Sequence, residues 1–250
     1  MCLVAVAASA HPRWPLLVLG NRDEFHARPS AAADWWPDDT GLLGGRDLEA
    51  GGSWLAVRRD GHFAVIANRP QKGPPRPDSP SRGLLVRDYL ASGLTPAAFA
   101  EWLLARRHEY AGFCLAFGGP GDLRLICEPG GEPERLLSGL RVFSNAPADQ
   151  RWPKVDYVEQ QLQQLLADRL PDPEALLAPL ERRAALPASD PALPWVALSP
   201  FVTGKDYGTR AVSLFAVGAD GRCRFVERRY AAGGRPAGVA EFSFPLRAPA

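Results

Sequence analysis

The apolar positions fall in short blocks separated by turn residues, and the period within each block assigns an element. Residues 3–8 and 15–19 read as two strands joined through a Pro- and Trp-containing segment, and the second runs straight into Gly20-Asn21-Arg22-Asp23-Glu24. Residues 54–57 and 62–66 read as a hairpin whose turn contains Asp60-Gly61, leading into Asn68. After a loop rich in Pro and charge, 71–81, helical patterns follow. One covers 81–90. The next opens on Thr95-Pro96, a capping hydroxyl followed by proline at the first helical position, and carries Phe99, Leu103 and Leu104 on its apolar side as it runs towards Arg107.

Strand character returns at 112–117 and 123–127, around a Gly-Pro-Gly turn, and at 140–143 before Ser144-Asn145. A helix from 153 or 154 to 166 gathers Val155, Val158, Leu162 and Leu166 on one side. The Pro-rich stretch 170–198 holds one short predicted helix, 173–185, and a last hairpin pairs 211–217 with 223–227 across Ala219-Asp220-Gly221-Arg222. No repeat or linker interrupts this order, so the chain is read as a single domain, 1–250. Strands at both ends and helices between them predict an α+β fold in which two sheets carry helices on their outer sides.

Composition narrows the functions. A chain of 250 residues is long enough for one sizeable core, and a formal net charge of +1 speaks against a dedicated nucleic-acid surface. The 24 Gly and 25 Pro lack a collagen period and fit a chain of short elements and many turns. No apolar stretch reaches the length of a membrane-spanning helix. The apolar opening lacks the preceding basic residue of a signal peptide, which predicts a cytoplasmic protein.

Cys114, Cys127 and Cys223 form no C-x-x-C pair and read as small apolar side chains in their strands, not as zinc ligands or a redox pair. His11, His26, His62 and His108 lack metal-ligand spacing. Gly44-Gly45 and Gly51-Gly52 lack the strand-to-helix setting of a phosphate loop, so no cofactor is expected.

Cys2 stands apart from the other cysteines. Removal of the methionine before it would leave a thiol and a free α-amine on one residue, with ordinary pKa values of about 8.5 and about 7.7–8.0. Proton transfer from thiol to amine is then feasible near neutral pH, giving an amine-activated nucleophile.

Met1-Cys2 followed by Gly20-Asn21-Arg22-Asp23-Glu24 resembles the NRDE family, also called the transport and Golgi organisation protein 2 family. The resemblance continues through Gly44-Gly45-Arg46-Asp47, Gly51-Gly52-Ser53-Trp54, Ala67-Asn68, Ser81-Arg82-Gly83, Gly112-Phe113, Ser144-Asn145, Trp152-Pro153-Lys154 and Tyr207-Gly208-Thr209-Arg210, in family order. This family is similar in organisation to N-terminal nucleophile hydrolases, which implies a four-layer αββα sandwich. The nearest chemical parallels are the choloylglycine hydrolases and penicillin V acylases, cysteine enzymes that cleave linear amides.

That resemblance implies Cys2 as nucleophile and its amine as base. It also implies Arg22 and Asp23 beside it on a strand-end loop, Asn68 and Asn145 as donors around an oxyanion, and Arg210 completing a charged pocket. In that setting a carboxylate positions the amine or thiol, a guanidinium steadies a thiolate or an anionic substrate, and carboxamides meet the charge that develops on a carbonyl oxygen.

The same residue types also cap strands and satisfy turns. Glu24 suits a pocket contact or an ion pair, Arg46-Asp47 suits loop stabilisation, and Trp35-Trp36 suits packing or an apolar entrance. The family resemblance therefore implies two competing functions. One is an N-terminal cysteine hydrolase acting on a small linear amide through a thioester; the other is a non-enzymatic carrier of haem or lipid. The partner is accordingly a small-molecule amide or an apolar ligand, with no nucleic acid and no membrane span.

Overall fold

Alternating small and branched apolar residues build β1 (Leu3–His11), and its partner β2 (Trp14–Phe25) continues past the apolar block through Asn21, Arg22 and Asp23, all three buried. The computed structural model describes residues 3–37, 41–71, 73, 78–168, 172–188 and 190–247. Cys2 lies outside them. After β2 come β3 (Ser30–Trp35), β4 (Leu42–Asp47), β5 (Leu55–Arg58) and β6 (Phe63–Asn68). Two helices follow, α1 (Gly83–Ser92) and α2 (Pro96–Arg106), then β7 (Phe113–Gly119), β8 (Asp122–Glu128), β9 (Glu134–Leu136) and β10 (Gly139–Ser144). The chain closes with α3 (Pro153–Leu166), β11 (Tyr207–Val217), β12 (Arg222–Ala231) and β13 (Arg235–Pro245).

The strands form two antiparallel sheets: a six-stranded one in the order β10-β1-β2-β11-β12-β13 and a seven-stranded one in the order β3-β4-β5-β6-β7-β8-β9. Strand pleat sorts side chains between faces. Val4, Val6, Leu16, Val18, Phe215 and Phe225 pack inward against Leu55, Val57, Phe63, Val65 and Ala67 of the other sheet.

On the outer face of the six-stranded sheet, Leu3, Ala5, Leu17, Leu19 and Leu214 meet Val155, Val158, Leu162 and Leu166 of α3. These four spaced apolar residues are the face foreseen from the sequence, and each buried side chain of this kind stabilises by about 1.5–3 kcal/mol. On the outer face of the seven-stranded sheet, Ala64, Ile66, Leu115 and Phe117 meet Leu85, Tyr89, Phe99 and Leu103 of α1 and α2. Thr95 caps α2 as expected, its hydroxyl accepting from the Ala98 N–H at 3.2 Å.

Three expectations are corrected. Residues 173–185 form only a 3-10 turn, Ala175–Leu177, because their prolines and the burial of Leu176, Leu177 and Leu180 under the six-stranded sheet leave no continuous helix. Cys114 and Cys127 are bonded to each other: they face one another on β7 and β8 with Cα atoms 4.1 Å apart. Arg22 and Asp23 do not sit on a strand-end loop but inside β2, held there by pairing with β11. No described helix is long and apolar enough to cross a membrane.

Candidate functional site

The pleat of β2 divides the Asn21-Arg22-Asp23-Glu24 block between two environments. Asn21 faces the outer layer, where its amide donates to the carbonyls of Leu180 at 2.9 Å and Pro200 at 2.8 Å. Asp23, on the same side, accepts from the Thr209 hydroxyl at 2.6 Å, and Thr209 in turn accepts from the Val202 N–H at 2.9 Å. These bonds tie β2 and β11 to the loops beyond α3.

Arg22, in step with Leu16 and Val18, faces the other sheet. Its guanidinium lies 4.3 Å above the Trp54 ring, donates to Ser30 Oγ at 3.2 Å and stands 3.6 Å from Asp47. Trp54 reaches this position because residue 45 is glycine: a Cβ there would come within 2.1 Å of the ring. Burial lowers the pKa of Arg22 and nearby Arg210 lowers it further, while Glu24 and Asp47 oppose the shift.

Asp47 belongs to the scaffold of this cluster. It pairs with Arg28 at 2.7 Å and accepts from the turn amides of Glu49 and Ala50 at 3.1 and 3.2 Å. Burial raises its carboxyl, but these bonds outweigh that effect and hold it below the ordinary range. Arg46-Asp47 thus serves the loop, with the Arg46 guanidinium 4.8 Å over Trp36. Trp35 packs edge-on against Phe242 and Phe244.

Arg210 sits where a bulge interrupts the pairing of β11 with β2, between Thr209 and Ala211. The bulge frees its side chain to donate to the carbonyls of Phe25 and Arg28. Burial lowers its pKa, Glu24 opposes this, and Arg229 adds to it. Arg22 and Arg210 line one cavity of about 230 Å³ between the sheets.

A second cavity, of about 390 Å³, opens beyond β10 and is lined by Arg69, Ser144, Ala146 and the bonded Cys114 and Cys127. Asn68 and Asn145 are chain neighbours of these lining residues. Asn68 ends β6 in step with Ala64 and Ile66, which face α1 and α2. Asn145 follows β10, its amide oxygen buried with no hydrogen-bond partner among the described residues. The six expected residues therefore separate: Arg22 and Arg210 share a cavity, Asn145 is only a chain neighbour of residues lining another, Asn68 is in step with residues facing α1 and α2, Asp23 faces the outer layer, and Cys2 is not described.

Sequence reading missed Glu227. It is fully buried on the inward face of β12, accepts from the Ala33 N–H at 2.8 Å, and lines the same cavity as Arg22. Burial pushes its carboxyl up to about 7, against the opposing pull of that bond, Arg229 and Arg22. The available signal was its place in the alternation Cys223, Phe225, Glu227, where an acid stands at a core position. Among the described residues no cluster of His, Cys, Asp or Glu is arranged to hold a metal ion.

Two antiparallel sheets with helices on their outer faces form an α+β fold that resembles the N-terminal nucleophile hydrolases. A solved structure of the C2A mutant of a conjugated bile acid hydrolase from Clostridium perfringens matches it at a TM-score of 0.55, with 8% identity, over 98% of this chain and 92% of that one. At that identity the likeness concerns the fold alone. The chain belongs to the Transport and Golgi organisation 2 family, whose model matches residues 1–232. It is 32% identical over 260 residues to the Transport and Golgi organization protein 2 homolog of Bos taurus, covering 91% of this chain and 92% of that protein. The Homo sapiens homolog is 30% identical over 263 residues, with the same coverage of 91% and 92%.

Proposed function

We propose that this protein is an N-terminal cysteine hydrolase that cleaves a non-peptide linear amide through a thioester, on a four-layer αββα sandwich of the N-terminal nucleophile type. The observation that carries this reading is the register of β1. Leu3 pairs with Ser144 of β10 on one side and with Asn21 of β2 on the other. Leu3, the residue that follows Cys2 in the chain, is thus flanked by the strand neighbours of Asn145 and Arg22. In this reading the nucleophile works with that carboxamide and that guanidinium.

In this reading removal of Met1 frees the Cys2 amine. The amine takes the thiol proton, Sγ attacks the amide carbonyl, and the Asn145 carboxamide meets the developing oxyanion, while Asn68, in step with residues that face α1 and α2, acts only by positioning the end of β6. The proton passes to the leaving amine as the carbon–nitrogen bond breaks, leaving an acyl thioester. Water then attacks the thioester, releases the carboxylic acid and restores the thiol. Arg22 steadies the thiolate, Arg210 closes the charged side of the pocket, and Asp23 acts by fixing β2 against β11.

The test is intact mass and peptide mapping of the folded protein after brief alkylation, followed by acid quenching during turnover of a panel of N-acyl amides. The expected result is absence of Met1, first labelling at Cys2, an acyl adduct on that residue and loss of the adduct in Cys2→Ala. Retained Met1 with an unlabelled Cys2 would overturn the reading. Saturable binding of haem or an acyl ligand without turnover would favour the carrier function instead.

A further inference from the structure

The cavity beside Arg22 has a feature that hydrolysis does not use. In one cross-strand row of the six-stranded sheet, Arg22 of β2 pairs with Ala211 of β11, and Ala211 pairs with Arg229 of β12. All three contribute to the cavity lining. Adjacent strands lie about 4.8 Å apart, so two guanidinium-bearing residues flank a single methyl group at a backbone separation of roughly 10 Å. That small central residue leaves the cavity of about 230 Å³ open, with Arg210 contributing to it from the bulge.

The positive charge here is incompletely matched. Arg22 is 3% exposed, and its Nη2, 3.6 Å from Asp47 Oδ2, is buried without a hydrogen-bond partner among the described residues. Its nearest carboxylate, Asp47 at 3.6 Å, already serves Arg28 and two turn amides. Arg229 makes no ion pair among the described residues. Glu227 is the one carboxylate in the lining, and it already accepts from Ala33. Glu24 acts electrostatically on both Arg22 and Arg210 from outside the lining, and itself accepts from the Phe25 N–H at 2.9 Å. Three guanidinium-bearing side chains lining one space with a single carboxylate make a receptor for an oxyanion.

We propose that this cavity binds the carboxylate or phosphate group of a ligand, held between Arg22 and Arg229 with Arg210 as a third contact. The site itself needs no chemistry at Cys2. If the hydrolase reading holds, and only resting on it, the site also defines the substrate class: an amide carrying an anionic group roughly 10 Å, two strand spacings, from the scissile carbonyl.

The test titrates inorganic phosphate and, separately, acetate in the millimolar range into the full chain by calorimetry, with chloride at matched ionic strength as reference. Wild type and Cys2→Ala are expected to bind one of these anions saturably and alike, and which anion binds identifies the group. Arg229→Gln is expected to weaken binding at least tenfold, and Ala211→Leu, which fills the floor, to abolish it. If Ala211→Leu fails to fold, Arg229→Gln decides the matter. No saturable heat beyond chloride, or an unchanged affinity in Arg229→Gln, would overturn the proposal. Anion binding retained in Cys2→Ala while no amide is cleaved by wild type would sink the hydrolase reading and leave this site standing.

Discussion

On the outward face of β2, the Asn21 amide donates to the Leu180 and Pro200 carbonyls, though its Oδ1 is buried without a hydrogen-bond partner among the described residues, and Asp23 accepts from the Thr209 hydroxyl. On the inward face, one residue away, Arg22 lines a cavity it shares with Arg210, Arg229 and Glu227. A single contiguous motif is thus half scaffold and half site. Strand pleat makes the division, since neighbouring side chains on a strand point to opposite faces. Family membership marks both halves equally, and only the structure tells them apart.

Substitutions on the two faces should therefore fail in different ways. The largest effect is expected at Arg22→Gln, which should lower kcat/KM on any cleaved amide by roughly 100- to 1000-fold, the range seen when a preorganised stabiliser of charge is removed. Stability should change less, because Arg28 still pairs with Asp47. Asn21→Ala should instead cost about 2–4 kcal/mol in urea denaturation, since it strands two buried carbonyls. A cost below about 1 kcal/mol there would erase the distinction between the faces.

Glu227 offers a pH-resolved version of the same comparison. Its carboxyl is raised from 4.5 to about 7 in the folded protein, so between these values the folded state holds a proton that the unfolded chain has lost. Stability should fall as pH rises through that window, by about 3 kcal/mol, and level off above it. Glu227→Gln should remove this slope, as measured by denaturation at pH 5 and pH 8, roughly either end of the window. Thr209→Val should give the smallest effect, a loss of about 1–2 kcal/mol, because it removes the partner of Asp23 and of the Val202 amide from the outward face.

Much of the fold was legible in the chain because its central strands and helices carry strong periods. β1, the hairpin of β5 and β6, α2, α3 and the hairpin of β11 and β12 all lie where apolar spacing and turn residues put them. The elements that escaped lack that signal. β4 is half glycine and arginine after two leucines, β9 has three residues, and β13 is an edge strand whose single buried residue is Phe244.

β2 extends past its apolar block because pairing with β11 and the outer loops satisfies Asn21 and Asp23, a tertiary effect that local propensity opposes. The Cys114–Cys127 bond likewise depends on β7 and β8 registering those two residues opposite one another. The site was legible as motif blocks. Its division was not, because the row joining Arg22, Ala211 and Arg229 exists only once strands distant in sequence are aligned.

The most direct measurement is the rate at which Cys2 of the folded protein is alkylated at pH 7, compared among wild type, Arg22→Gln and Asp23→Asn. If Arg22 faces the nucleophile and Asp23 faces away, Arg22→Gln should slow labelling about tenfold, the change in thiolate fraction for one pKa unit, while a folded Asp23→Asn stays near the wild-type rate. Equal rates in wild type and Arg22→Gln, or a larger loss in a folded Asp23→Asn, would contradict it.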